Sequence, residues 1–255
     1  MIDERDVAEF GRSGFIVLRS MFDAAPLRAE VEAALADGFA NAVRNTGTAG
    51  NQFRYVPMMC ERTPLSLGLV DALAEPAACL LGHVVVPVRA KGTRYFGGTG
   101  WHRDSDLDIA SIGFAAYLEP LDETNGALRV DGGSHRAGTM EAVDGTGHAV
   151  ATEPGDVIAF DEHLWHSSSG GAERLQWRVD YLADPPAGEE HQGRNYFAAI
   201  FQPGWDGGYD VDRYPSYGAH WQSRPRPWTK RLGDLDAYAR ADAEEAAVRA
   251  TRNQH

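Results

Sequence analysis

Within this 255-residue chain the segment Trp101-His102-Arg103-Asp104 sets an imidazole and a carboxylate two positions apart. On an extended strand residues i and i+2 project from the same face, so both side chains can reach one metal ion. A second imidazole from far along the chain would complete a two-histidine, one-carboxylate facial set. Such a set leaves coordination positions open and is typical of non-haem iron(II) oxygenases. Alone, His-x-Asp is a weak signal, because nine histidines in an aspartate-rich chain yield such a match by chance, and the alternative is a surface charge pair. A second block, Gly155-Asp156-Val157-Ile158-Ala159-Phe160-Asp161-Glu162-His163-Leu164-Trp165-His166-Ser167-Ser168, runs from a tight turn through an apolar strand to histidines flanked by aromatic and hydroxyl groups. It offers two imidazoles, His163 and His166.

These residues need a scaffold. Helix-period apolar positions mark 3–12 (Val7, Phe10) and 24–40 (Leu27, Val31, Ala34, Leu35), and between them Gly14-Phe15-Ile16-Val17-Leu18 reads as a strand. Residues 41–63 are irregular but carry Phe53, Tyr55, Met58 and Met59, as a loop packed over the body would. Pro64 opens a leucine-rich helix to Leu81, interrupted by Pro76. From Val84 onward short β-like runs (84–96, 110–119, 127–130, 148–152, 156–160, 175–182, 195–201) alternate with turn residues, which predicts a sandwich or jelly roll rather than a parallel βαβ sheet. Residues 202–233 are loop-like and rich in aromatics (Trp205, Tyr209, Tyr214, Tyr217, Trp221, Trp228), as a surface extension or lid, and 234–251 form an alanine-rich helix. The expected organisation is one domain over 1–255, mainly β with flanking helices (α+β): a helical N-terminal region over 1–83, a jelly-roll core over 84–201, and an extension with a C-terminal helix over 202–255.

Composition narrows the function. Apolar residues make up 43% and charged residues 24%, enough for a packed core. A net charge of −13 and a pI near 5.1 argue against a nucleic-acid partner, which calls for a basic face. Lys91 and Lys230 are the only lysines among 24 basic residues. Cys60 and Cys79 are too few for a disulfide framework or a thiolate zinc site. The opening Met1-Ile2-Asp3-Glu4-Arg5 lacks the order of a signal peptide, and no apolar run approaches the length of a membrane span, so a cytoplasmic protein with no membrane partner is expected. Oligomeric state is not legible.

The Gly-Asp turn, the strand ending in Phe160, and Trp165-His166 with Ser168 two residues on resemble the phytanoyl-CoA dioxygenase family. Further carriers are Gly14 to Leu18, Trp101 to Asp104, and Asn125-Gly126-Ala127-Leu128-Arg129-Val130 leading to Gly133-Ser134-His135-Arg136, so the resemblance spans most of 5–182. Departures are Gly132 where the family usually has proline, and Arg103 where glutamine is frequent.

The resemblance implies a double-stranded β-helix, cupin-like core and a 2-oxoglutarate- and dioxygen-dependent enzyme whose iron(II) ligands are His102, Asp104 and His166. His163 is the runner-up, and His135 is a turn residue. The distal carboxylate of 2-oxoglutarate requires a guanidinium, and of Arg174 and Arg178 the mid-strand Arg178 is preferred, with a structural pair to Asp180 as the alternative. Ser168 would donate a hydroxyl to the same carboxylate, and Lys91 and Thr93 are further cosubstrate contacts. Tyr55, Arg94, Trp101, Arg103 and Trp165 are the expected substrate contacts. The implied reaction is hydroxylation of a small metabolite with release of succinate and CO2, desaturation, epoxidation, cyclisation and epimerisation being open to the same residues. A carboxylate at Asp104 argues against halogenation. A cupin-like enzyme without 2-oxoglutarate and a non-catalytic jelly-roll binding protein are the rival classes.

Overall fold

The computed structural model describes residues 2–39, 53–136, 147–168, 173–202 and 208–252. Trp205 and most of the expected 41–63 loop lie outside the described residues.

The chain opens on α1 (Glu4–Ser13), capped by Asp3 and ended at Gly14, whose φ of 80° lies in the left-handed region that glycine adopts freely. There follow β1 (Phe15–Leu18), α2 (Ala24–Gly38), β2 (Phe53–Pro57) and α3 (Pro64–Leu81). The β-rich stretch is β3 (Val85–Tyr95), β4 (Thr99–His102), β5 (Ser111–Tyr117), β6 (Leu128–Val130), β7 (His148–Val150), β8 (Val157–Asp161), β9 (His166–Ser168) and β10 (Arg174–Ala183). α4 (Glu190–Ile200), α5 (Ala219–Ser223), α6 (Thr229–Asp234) and α7 (Ala237–Arg252) complete it.

The strands form two antiparallel sheets, one in the order β1-β8-β5-β10-β3-β2 and one in the order β4-β9-β6-β7. This is the mainly β, jelly-roll architecture with flanking helices that the strand pattern predicts. β10 lies inside the larger sheet and all ten of its residues are buried. Its odd positions Leu175, Trp177, Val179 and Tyr181 join the larger apolar core, where Trp177 Nε1 donates to Ser66 Oγ (2.7 Å) and Tyr181 Oη to Val70 O (2.5 Å) on α3. Its even positions Arg174, Gln176, Arg178 and Asp180 turn to the opposite face. A smaller core of Ala115, Tyr117, Leu128, Val130, Ile158, Phe160 and Leu164 joins the two sheets.

Several elements differ from the sequence expectation. β1 forms where 14–18 reads as a strand, but β2 arises in the region read as irregular; β1 pairs with β8 and β2 with β3, so both extend the large sheet. The run 195–201 is helical, because Gly193, Tyr196 and Phe197 are buried at helix spacing. Pro76 does not interrupt α3, a helix long and apolar enough to cross a membrane, whose Leu67, Val70, Leu73, Ala77 and Leu80 are instead buried in the core. The aromatic region is no surface appendage: Tyr209, Tyr214, Tyr217 and Trp221 belong to the main core.

Asp156 joins β8 to the chain after β1. It is 4% exposed and accepts from Glu153 N (2.9 Å), Ser20 N (3.0 Å) and Arg19 Nη1 (2.6 Å). Burial opposes ionisation here, but these donors outweigh it and hold the carboxyl below its ordinary value. Asp156→Ala is expected to lower unfolding stability by about 2–3 kcal/mol in chemical denaturation. Because the folded pKa is depressed, this stabilisation is present above the unfolded carboxyl value and is lost as pH falls through the folded one. The wild-type and variant curves should therefore converge under acid.

Candidate metal centre

β4 and β9 are paired so that His102 lies opposite His166 and Thr99 opposite Ser168. The first pairing puts the two imidazoles side by side, with ring centroids 4.2 Å apart. Asp104 follows β4, where its own N–H and that of Ser105 donate to Glu162 O at 2.9 and 3.1 Å. Asp104 Oδ1 lies 3.6 Å from His102 Nε2, and Oδ2 lies 3.5 Å from His166 Nε2. One ligand atom from each of the three residues falls within 4.8 Å of the others, a spacing that a single ion can bridge.

The donor set fits iron(II) in its details. His102 Nδ1 donates to Gly100 O (2.8 Å) and His166 Nδ1 to Leu164 O (2.9 Å), which fixes the tautomer and leaves Nε2 on each ring as a lone-pair donor. Burial keeps His166 biased toward the neutral form, the Asp104 charge opposing it. Burial alone would raise the Asp104 pKa, but Arg178, then His166 and His102, hold it well below the carboxylate range. His163 is occupied otherwise: its Nδ1 meets Asp161 Oδ1 (2.9 Å) and its Nε2 meets Leu107 O (2.7 Å). The structure thus joins His166, not His163, to the cluster. His135 packs on Gly14, where any Cβ would collide with its ring.

The two arginines have different surroundings. Arg178 places Nη1 2.7 Å from Asp104 Oδ2, Nη2 3.1 Å from Glu162 Oε1 and Nε 2.5 Å from Asp180 Oδ1. Its guanidinium lies over the Phe160 ring and beside Gly113, where a Cβ would meet both groups. Glu162 also accepts from Tyr196 Oη at 2.5 Å, and burial with Asp180 nearby pushes its pKa up to about 7. The expectation that Arg178 receives the distal carboxylate of 2-oxoglutarate does not fit this position. Its fork is committed to three carboxylates, one of them a metal-cluster member. Arg174, 2% exposed, donates from Nη2 to Ser168 Oγ (3.0 Å) and to Gly97 O (3.1 Å) and lies over Tyr95. Ser168 Oγ in turn meets Thr99 Oγ1 (2.9 Å).

One cavity of about 410 Å³ joins these groups. Arg174, Ser168 and Thr99 line one end of it and the metal cluster lies beyond them, while Lys91, Arg89, Tyr55 and Glu244 line it further along β3. Thr93 and Lys91 both face in, opposite Gln176 and Arg178. Lys91 is four residues along β3 from Tyr95, the partner of Arg174, which is ~13 Å at the usual strand rise. Lys91 and Arg174 therefore enter the cavity at different points along its wall.

Of the five expected substrate contacts only Tyr55 lines the cavity. Arg94 lies on the other face of β3 and pairs with Glu173. Arg103 pairs with Asp106 and stacks on Trp165 (5.5 Å), and Trp101 packs against Gly147. The reason is alternation: Trp101, Arg103 and Trp165 are chain neighbours of ligands, and neighbours in extended chain point the opposite way. Sequence reasoning missed Tyr196 and Glu244. Neither carries a local signal, because α4 and α7 reach the cavity only through tertiary packing.

The family model described as "Phytanoyl-CoA dioxygenase (PhyH)" matches residues 10–172. None of the curated proteins matches the sequence significantly. Among solved structures, AviO1 from Streptomyces viridochromogenes Tue57 is similar with a TM-score of 0.60 and 22% identity, over 73% of this chain and 99% of that one. EctD from S. alaskensis with 2-oxoglutarate and 5-hydroxyectoine gives 0.59 and 25% over 72% and 77%, and EctD with bound Fe gives 0.56 and 26% over 71% and 77%. The non-heme alpha ketoglutarate dependent epimerase SnoN from nogalamycin biosynthesis gives 0.59 and 19% over 75% and 88%.

Proposed function

Since this chain belongs to the phytanoyl-CoA dioxygenase family and is an iron(II)- and 2-oxoglutarate-dependent dioxygenase, we propose that it hydroxylates an unactivated C–H bond of a small metabolite in secondary metabolism, releasing succinate and CO2. The observation that carries this is the His102–Asp104–His166 cluster, with an ionised carboxylate, opening on the same cavity as Arg174 and Ser168. The EctD structure with a hydroxylated small molecule beside 2-oxoglutarate supports hydroxylation as the outcome.

Iron(II), 2-oxoglutarate and dioxygen together supply the oxidising power when bound. This chain supplies the placement. His102 and His166 present Nε2 while Gly100 and Leu164 hold the Nδ1 protons. Arg178 keeps Asp104 ionised and orients its carboxylate. Arg174 and Ser168, rather than Arg178, receive the distal carboxylate of 2-oxoglutarate in this reading, with a charge-assisted fork on one side and a hydroxyl on the other. Ala115, Leu128 and Phe160 line the cavity with apolar surface that limits water near the reacting centre.

The test is anaerobic loading with iron(II) and 2-oxoglutarate, then exposure to oxygen with a metabolite panel. Hydroxylation predicts succinate in step with a product that has gained one oxygen atom. A product that has lost two hydrogens or kept its mass would replace hydroxylation by desaturation or epimerisation. Absence of succinate in every condition would sink the 2-oxoglutarate reading.

A further inference from the structure

Tyr196 is not among the residues that line the cavity, yet its hydroxyl ends a chain of contacts that begins at Asp104. Glu162 is the middle of that chain. It is 2% exposed, and each of its three oxygens is engaged: the main-chain oxygen accepts from Asp104 N (2.9 Å) and Ser105 N (3.1 Å), Oε1 from Arg178 Nη2 (3.1 Å), and Oε2 from Tyr196 Oη (2.5 Å). One residue therefore holds Asp104 twice, directly by its backbone and, through Arg178, by its carboxylate.

The Arg178 guanidinium is a rigid plane, so fixing two of its nitrogens sets the third. Nε rests on Asp180 Oδ1 and Nη2 on Glu162 Oε1, and Nη1 then lies 2.7 Å from Asp104 Oδ2. Without the Nη2 contact the fork could swing about Nε and its aim at Asp104 would be lost. Glu162 serves as that second anchor only while its own flexible side chain is still, and the Tyr196 hydroxyl pins the oxygen that Arg178 does not hold. Tyr196 is 1% exposed on α4, a helix braced from behind: Phe197 is buried with its ring over Phe201, and a Cβ at Gly193 would come within 3.0 Å of Leu235. Four residues on from Tyr196, hence on the same helix face, Ile200 lines the cavity.

Resting on the iron site of the oxygenase reading above, we propose that Tyr196 is a positioning residue for the metal centre: its hydroxyl steadies Glu162, and so the Arg178 fork that aims the Asp104 carboxylate at the ion. α4 thereby ties the cavity wall at Ile200 to a metal ligand. Linkage makes the tie reciprocal, so bound iron must hold α4 in place by the same factor by which α4 favours iron. A tyrosine that only satisfied its own hydroxyl in the core would affect stability and leave iron alone. Tyr217, buried and donating to Val88 O, supplies that comparison.

The experiment measures iron(II) affinity anaerobically, by competition with a chelator, in the full-length wild type, Tyr196→Phe and Tyr217→Phe, with thermal unfolding of each. Tyr196→Phe keeps the ring and is expected to weaken iron(II) about tenfold, the lower end of the 10–100-fold that loss of an outer hydrogen-bond partner costs a metal site. Tyr217→Phe should lower stability comparably and bind iron as the wild type does. In the wild type, iron loading should slow hydrogen exchange of the α4 amides, and in Tyr196→Phe that slowing should shrink about tenfold. The inference is overturned if Tyr196→Phe binds iron as tightly as the wild type, if Tyr217→Phe loosens iron equally, or if iron leaves α4 exchange in the wild type unchanged. The last result decides the matter even if Tyr196→Phe does not fold. A wild type that binds iron(II) but forms no succinate from 2-oxoglutarate fails the oxygenase reading alone, and the iron measurements still decide the role of Tyr196.

Discussion

His166→Ala is expected to yield a folded protein that neither retains iron(II) through desalting nor forms succinate, while His163→Ala keeps both. His166 contributes one of the two Nε2 donors facing Asp104, and its Nδ1 proton is already committed to Leu164 O. Removing it deletes a ligand outright, so the loss should exceed the roughly 10–100-fold that removal of an outer hydrogen-bond partner costs a metal site. His163 instead spends both nitrogens on Asp161 and Leu107, so its removal affects local packing and not the ion. Iron content per chain and succinate yield are the readouts, with circular dichroism to show that both variants fold. Iron retained by His166→Ala, or lost by His163→Ala, would reverse the ligand assignment.

The second large effect separates two arginines that lie on one face of one strand. Arg174→Leu should weaken 2-oxoglutarate by about 3 kcal/mol, on the order of a hundredfold, with iron affinity intact, because it removes the fork beside Ser168. Arg174→Lys should recover some of the loss, since charge is kept and planarity is not. Arg178 answers differently. Arg178→Leu strands Glu162 and Asp180 as buried carboxylates, and Asp104 as a half-buried one, and is expected to cost roughly 3–5 kcal/mol of stability. Arg178→Lys is the gentler probe, and should fold while loosening iron by about 10–100-fold. Calorimetry with each ligand separates the cases: if Arg178→Lys weakens 2-oxoglutarate and Arg174→Leu does not, the roles are exchanged.

The metal cluster is legible in the sequence through the family resemblance: spacing alone lets His102 and Asp104 reach one ion but leaves His163 and His166 both open, and the resemblance assigns His166, which the structure joins to the other two. The choice between Arg174 and Arg178 is not. A mid-strand position favours Arg178, on the argument that a buried guanidinium needs an anion. The need is real, but three carboxylates of the chain meet it, and two of them, Asp104 and Glu162, come from other segments. The lining residues fail for a simpler reason. Proximity in sequence to a ligand does not carry over to proximity to the cavity, since Trp101, Arg103 and Trp165 face away from it. The strands are visible as apolar runs between turns, yet the helix over 190–200 reads in its second half as a strand, because a short apolar run carries little periodicity.

β10 carries both the core and the site. Trp177 and Tyr181 bind it to α3 on one side, and Arg174 and Arg178 serve the site on the other. For a lineage acquiring a new substrate, that strand is close to frozen, since a change on either face disturbs what the opposite face holds. Novelty has to enter elsewhere, at the meeting of β2, β3, α4 and α7 around Tyr55, Lys91, Ile200 and Glu244. Descendants of this protein should therefore diverge in what they oxidise well before they diverge in how.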